Sequence, residues 1–260
     1  MLKKRKSPLF VVIRAAVKFF YPEIEVIGKE NIPECDAVLV GNHCLMNGPI
    51  SAELYLPDNC YTWCAGQMMN LKEVPKYAYA DFWSQKPSYL KPFYKLLSYI
   101  IAPFSVSIFN SARTVAVYHD MRILSTFKTS VRMLKEGKNM VIFPEKDVPN
   151  NNIVYEFQDR FVDIAKLYCN TSGKLLTFVP MYISPKLKRI YIGDGIVFNP
   201  DIDIAEERTV ICKYLSDEIT RIARSLPEHK VVPYKNLPKK CFLSNKDIAE
   251  VPNEKTNSRL

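Results

Sequence analysis

The chain is short of several things, and each shortage excludes a class. Only 8 of its 260 residues are glycine, and none fall in a Gly-rich pattern that would cradle a nucleotide phosphate. The seven cysteines are Cys35, Cys44, Cys60, Cys64, Cys169, Cys212 and Cys241. They form no CxxC pair, and Cys60 and Cys64 lack partners at zinc-ligand spacing, so no metal site is expected. An odd, scattered set reads as free thiols in a reducing compartment. Only three histidines occur. His119 and His229 have no ligand cluster in sequence, which leaves His43 as the one in a chemically suggestive setting. No internal repeat is visible. No stretch of ~20 residues is free of charge, as a membrane-spanning helix requires. The apolar segment Leu90–Phe109 carries Lys91, Pro92, Lys95 and Pro103, and it reads as a buried helix followed by a strand over 106–109. The N-terminal apolar stretch is broken by Arg14 and Lys18 and has no small-residue cleavage site, so no cleavable signal is expected.

Acidic residues are also in deficit: 27 Asp and Glu stand against 36 Lys and Arg, a formal net charge of +9. A basic balance points to an anionic partner. Aromatic and basic residues are not interleaved as in an RNA-binding motif, so no nucleic-acid partner is expected. An anionic membrane surface fits better. Residues 7–21 suit an amphipathic helix with Ser7, Arg14 and Lys18 on one stripe and large apolar residues over much of the remainder. Such a helix lies in a bilayer interface, and the expected membrane contacts are Arg14, Lys18, Phe10, Phe19 and Phe20.

With 48% hydrophobic residues the chain can build a sizeable core. Short apolar runs at Ala37–Val40, Met140–Phe143 and Leu175–Met181 read as buried strands. Helical spacing appears at Met121–Glu136, Ile153–Cys169 and Glu206–Leu226. This alternation predicts an α/β fold: a single mixed, mostly parallel sheet flanked by helices, with an N-terminal amphipathic helix. The expected division is an interfacial helix at 1–21, an α/β domain at 22–234 and a polar, disordered tail at 235–260.

Polar residues follow several of these strands: Asn42-His43 after the first, Pro144-Glu145 after the third, and Arg113 near a second candidate at 106–109. In open α/β sheets, sites collect beyond the carboxyl ends of strands. The blocks EVIGKENIPECDAVLVGNH, SIFNSARTV and VIFPEKD, followed by Val179-Pro180, come in order and at plausible separations. Together they resemble the phospholipid/glycerol acyltransferase family, which includes the bacterial lysophosphatidate acyltransferases, from about Glu23 to Pro200. The resemblance implies an O-acyltransferase without a bound cofactor. It would move a fatty acyl group from acyl-CoA or acyl carrier protein to a hydroxyl of a lysophospholipid or related glycerolipid. It implies a peripheral protein on the cytoplasmic, inner face of a membrane.

The resemblance also implies roles. His43 is the general base. Arg113 binds an acceptor phosphate, Glu145 holds the acceptor or orients Arg113, and backbone amides near 145–147 serve the phosphate or oxyanion, with Pro144 and Lys146 beside them. Two departures stand out. The family's His-x4-Asp has Gly48 at the Asp place, so Asn47 becomes the candidate to orient His43, with Asp81, Glu53, Asp120 or Asp147 as substitute acids. Lys146 replaces the glycine that usually follows Glu145. These departures fit two rival readings: a lipid-binding member of the same fold that has lost catalysis, and an acyltransferase acting on an amine or another non-lipid acceptor. Cys44, next to His43, is not expected to form a nucleophile couple with it, because adjacent side chains on an extended chain point apart.

Overall fold

A computed structural model describes residues 7–84, 86–118, 120–234 and 238–248. Helix α1 spans Pro8–Phe20, with Ser7 Oγ accepting from the Phe10 amide and Pro8 at its start. That is a capped, proline-initiated helix. Strand β1 covers Glu25–Ile27 and β2 covers Ala37–Gly41; every residue of β2 is buried. Helix α2 follows at Asn47–Tyr55 and β3 at Cys60–Ala65. After a short helix α3 at Val74–Ala78 comes α4, a 21-residue helix from Lys91 to Ser111. Strand β4 is Thr114–Val117, α5 is Ile123–Lys135, and β5 is Asn139–Ile142. The chain then places α6 at Asp163–Ser172, β6 at Thr177–Ser184, β7 at Arg189–Ile192, β8 at Ile196–Val197, and α7 at Ile204–Ser225.

The strands form one sheet in the order β1-β7-β6-β2-β5-β3-β4, with β8 also paired to β6. The run β6-β2-β5-β3-β4 is parallel throughout. Strands β7 and β8 pair antiparallel to β6. The expected fold class is therefore the observed one. The parallel strands read as continuous apolar runs because both faces are covered. Ile142, Phe178, Ile211 and Leu215 fill one apolar cluster, and Leu39, Val141, Val179 and Met181 fill another.

Several expected boundaries are corrected. Residues 106–109 are no strand but the last turns of α4. Their branched apolar residues read as β locally, yet Ser98, Ala102 and Ser105 form a buried small-residue stripe at helical spacing that carries the helix through. The strand lies later, at Thr114–Val117, so Arg113 precedes a strand instead of following one. Strand β3, Cys60–Ala65, is not among the apolar runs expected to form strands. The helix expected from Ile153 begins only at Asp163.

The tail is also corrected, for 238–248. Phe242, Ser244, Asn245 and Ile248 are buried. Asn245 donates to the Ala223 carbonyl at 2.8 Å and accepts from the His229 amide at 2.9 Å. Two apolar anchors and one fully bonded Asn are enough to fix a polar segment. The remainder of the expected tail lies outside the described residues.

On α1, two of the five expected membrane contacts face inward. Phe10 is 3% exposed, and Arg14 donates to Glu53 at 3.2 Å. Lys18, Phe19 and Phe20 are exposed.

Candidate functional site at the carboxyl edge of the sheet

Strand β2 ends in Gly41, and the next three residues are shaped by their backbone. Asn42 is buried, and its side chain bonds to both backbone groups of Ile183 on β6: it donates to the carbonyl at 3.1 Å and accepts from the amide at 2.7 Å. This extends the β2–β6 ladder by one side chain. The chain then turns sharply, with Cys44 at φ 49° and Leu45 at φ 56°. Two successive non-glycine residues in the left-handed region store strain of roughly 1–3 kcal/mol each. The turn brings the Leu45 carbonyl onto Nδ1 of His43. A carbonyl can only accept, so in the neutral ring Nδ1 carries the proton and Nε2 the lone pair.

The Leu45 carbonyl thus takes the position a carboxylate holds in a His–Asp pair. Gly48 shows why no carboxylate stands at its place. A Cβ there would lie 2.6 Å from the His43 carbonyl and 2.9 Å from the Phe143 ring. The first turn of α2 folds tightly against the His43 backbone, with the Gly48 amide donating to His43 O at 3.0 Å.

Asn47, expected to orient the imidazole, does not. Its amide donates to the Cys44 carbonyl at 3.0 Å and its Oδ1 accepts from the Tyr21 hydroxyl at 3.0 Å. It braces the turn and leaves the ring to others. The His43 imidazole stacks on Tyr234 with ring centroids 4.3 Å apart and meets the edge of Phe143 at 5.4 Å. Neither ring was foreseen. Tyr234 lies nearly two hundred residues away in sequence and carries no motif of its own.

Glu145 is brought to His43 as the strand order requires, since β2 and β5 are neighbours. Its role differs from the expected one. The carboxylate is 4% exposed. It accepts from the His43 amide at 2.7 Å and from the Tyr155 amide at 3.1 Å. It therefore clamps the backbone of the His43 turn and of the 146–157 loop, and it orients no arginine. Burial pushes its carboxyl up to about 7, against the pull of those two amides. Pro144 is buried beside it, and its carbonyl accepts from Gln158 N at 2.8 Å. Lys146 is exposed and pairs with Glu156 at 2.5 Å. Its amide donates to the Glu156 carbonyl at 2.8 Å, so that amide is committed to the loop and is no oxyanion donor.

Arg113 is the main correction. Register places Thr114 level with Thr62, and Tyr61 level with Met140 and Val38. Arg113 thus stands five residues below His43 and three strands away, roughly 16 Å along the sheet and roughly 14 Å across it. It is 8% exposed. Its guanidinium donates to Glu53 Oε2 and to the carbonyls of Ala52, Glu53, Leu56 and Pro57. Those carbonyls include the bare C-terminal end of α2, which a cation caps well. The arginine past the carboxyl end of β4 is Arg122, held by Asp120 at 2.7 Å and Glu73 at 2.8 Å and lying 3.9 Å from the Tyr118 ring centroid.

The substitute acids separate in the same way. Glu53 belongs to Arg113 and Arg14, and Asp120 to Arg122. Asp81 lies within electrostatic reach of Tyr77 and of Tyr234. The Tyr234 hydroxyl is pushed up to about 12, first by burial and then by Tyr77, Asp81 and Glu145. Cys44 is buried, its thiol donates to the Ile183 carbonyl at 3.2 Å, and burial raises its pKa well above the ordinary value. A nucleophilic thiolate there is disfavoured. Among the described residues no group of three or more His, Cys, Asp or Glu side chains is arranged to hold a metal ion.

No protein-family model and no curated protein sequence matches the chain. Among solved structures, the 1-acyl-sn-glycerophosphate (LPA) acyltransferase PlsC from Thermotoga maritima is similar to it at a TM-score of 0.44 and 16% identity, over 84% of this chain and 78% of that one.

Proposed function

We propose that the protein is an acyltransferase whose base is Nε2 of His43. The observation that carries this reading is the His43 turn itself: a strained backbone beyond a central strand, clamped by Glu145, that fixes the imidazole as a proton acceptor at Nε2. Structural strain held at such a position is a mark of a working site. The order of the Asn42-His43 and Phe143-Pro144-Glu145 blocks supports the acyltransferase class over other uses of a histidine base.

In this reading Nε2 takes the proton of an acceptor hydroxyl as its oxygen attacks the carbonyl carbon of an acyl thioester. The C–S bond then breaks, the thiolate leaves, and the imidazolium returns the proton to it. The products are an ester and a free thiol. The donor is acyl-CoA or acyl carrier protein, and the acceptor is a lysophospholipid or related glycerolipid met at the cytoplasmic face of an anionic membrane. An acceptor phosphate would meet Lys146 at this edge, which would exchange its Glu156 carboxylate partner for it. Arg113 takes no part.

A second reading, lipid binding without transfer, is favoured by one specific observation: Nδ1 of His43 meets the neutral Leu45 carbonyl and not an orienting carboxylate. Incubating the protein with acyl-CoA or acyl carrier protein and a panel of lysolipids, and following acylated product by mass spectrometry, separates the two. Product with either donor supports transfer. Lysolipid binding without product from either donor establishes the second reading.

A further inference from the structure

Two segments of the chain contain no acid at all. No Asp or Glu occurs before Glu23, and none between Asp81 and Asp120. These segments hold α1 and α4, and the two helices meet: Ser7 Oγ lies 2.6 Å from Ser107 Oγ, and the Ser7 amide donates to Ser111 Oγ at 3.2 Å. Together they present one acid-free surface.

That surface is apolar on its outer side. The inward face of α4 is the stripe Ser98, Ala102 and Ser105, with Ser105 Oγ donating to the Met68 carbonyl at 2.9 Å and Asn110 to the Met69 carbonyl at 3.0 Å. The outward face carries Phe93, Leu96, Ile100 and Phe104, each about half exposed or more, at helical spacing. Phe19 and Phe20 at the end of α1 are 81% and 83% exposed. Large apolar side chains exposed in number on two touching helices mark an interaction surface. Lys91 and Lys95 on α4 and Lys18 on α1 are exposed and neighbour these apolar residues along their helices.

We propose that the α1–α4 face docks on an anionic lipid bilayer, lying in the plane of the interface. Basic residues among aromatic and aliphatic ones, with no acid to repel the leaflet, complement a negatively charged membrane. Helix α4 is long and apolar enough to cross a bilayer. The Ser98–Asn110 contacts nevertheless tie it to the domain along its length, so only its outer side meets lipid. The face borders the candidate site. Helix α4 packs on α3, Trp83 stacks on Tyr94 at 5.6 Å, and Tyr77 and Asp81 act electrostatically on Tyr234, which covers His43. A lipid acceptor would thus reach His43 from the bilayer. This last point rests on the acyltransfer reading; the docking does not.

The test uses the full chain with sucrose-loaded vesicles, either of phosphatidylcholine or of phosphatidylcholine with a minority of phosphatidylglycerol. Wild type should sediment with the anionic vesicles, less so at high salt. The double variant Ile100→Glu, Phe104→Glu should lose about tenfold or more in vesicle affinity with its melting transition unchanged. In a Trp63→Phe background, brominated lipid should quench Trp83. Wild type that ignores anionic vesicles overturns the proposal, as does a double variant that binds them like wild type. A double variant that only dissociates an oligomer assigns the face to a second copy and overturns it too. Failure of acyl transfer to a detergent-dispersed lysolipid, with vesicle binding intact, would count against the acyltransfer reading alone.

Discussion

The two edges of the sheet hold the two residues that most invite a catalytic reading, His43 and Arg113, and they use them in opposite ways. At the carboxyl edge, backbone is strained and polar groups are gathered so that the imidazole is held at Nδ1 by the Leu45 carbonyl. At the amino edge, a guanidinium is buried and its donors are spent on Glu53 and the last carbonyls of α2. Helix α2 joins the two, starting against His43 and ending on Arg113. A charged side chain whose hydrogen bonds are all internal is a structural device, whereas one held in a defined tautomer by its neighbours is prepared for chemistry.

Breaking the amino edge should have the largest effect on stability. Arg113→Ala removes a buried guanidinium that bonds Glu53 and four backbone carbonyls and leaves the Leu56 carbonyl without its donor, so we expect a loss of about 3 kcal/mol in denaturant unfolding. A substrate-binding arginine would instead give near-wild-type unfolding and a raised KM. Next comes Glu145. Its folded carboxyl sits at about 7 against the ordinary 4.5, so its burial costs nothing at low pH, where both states are protonated. As pH rises from about 4.5 to 7 the unfolded chain ionises first, and stability falls by about 3 kcal/mol, then levels off. Glu145→Gln should flatten that slope in unfolding measured across this window. The smallest effect belongs to His43→Ala, which removes one partly exposed ring from Tyr234 and Phe143 and should cost about 1 kcal/mol in the same assay.

This contrast also explains what the sequence could show. The α/β class, the buried strands and the adjacency of His43 and Glu145 were legible, because apolar runs set strands and neighbouring strands bring their ends together. Arg113 was misplaced because the end of α4 reads locally as a strand, which turned a residue before β4 into one after a strand. Its true signal, the Ser98–Ala102–Ser105 stripe, appears only when the segment is read at helical period. Tyr234 and the Leu45 carbonyl were invisible for a different reason: one comes from the far end of the chain, and the other is a backbone group whose position depends on two left-handed residues no pattern announces. Phe10 and Arg14 were assigned to a membrane from periodicity alone, which cannot say which face of α1 meets α2 and α4.

The most direct test of the central claim is the turnover of wild type and His43→Ala, measured as thiol released from an acyl thioester in the presence of a lysolipid, on samples whose unfolding transitions have been compared. The account predicts turnover by wild type and a loss of about 10²–10⁴-fold in the variant, the range expected for a missing general base, with stability nearly preserved. Equal turnover by the two proteins, or none by wild type with either a CoA or a carrier-protein thioester, would contradict it.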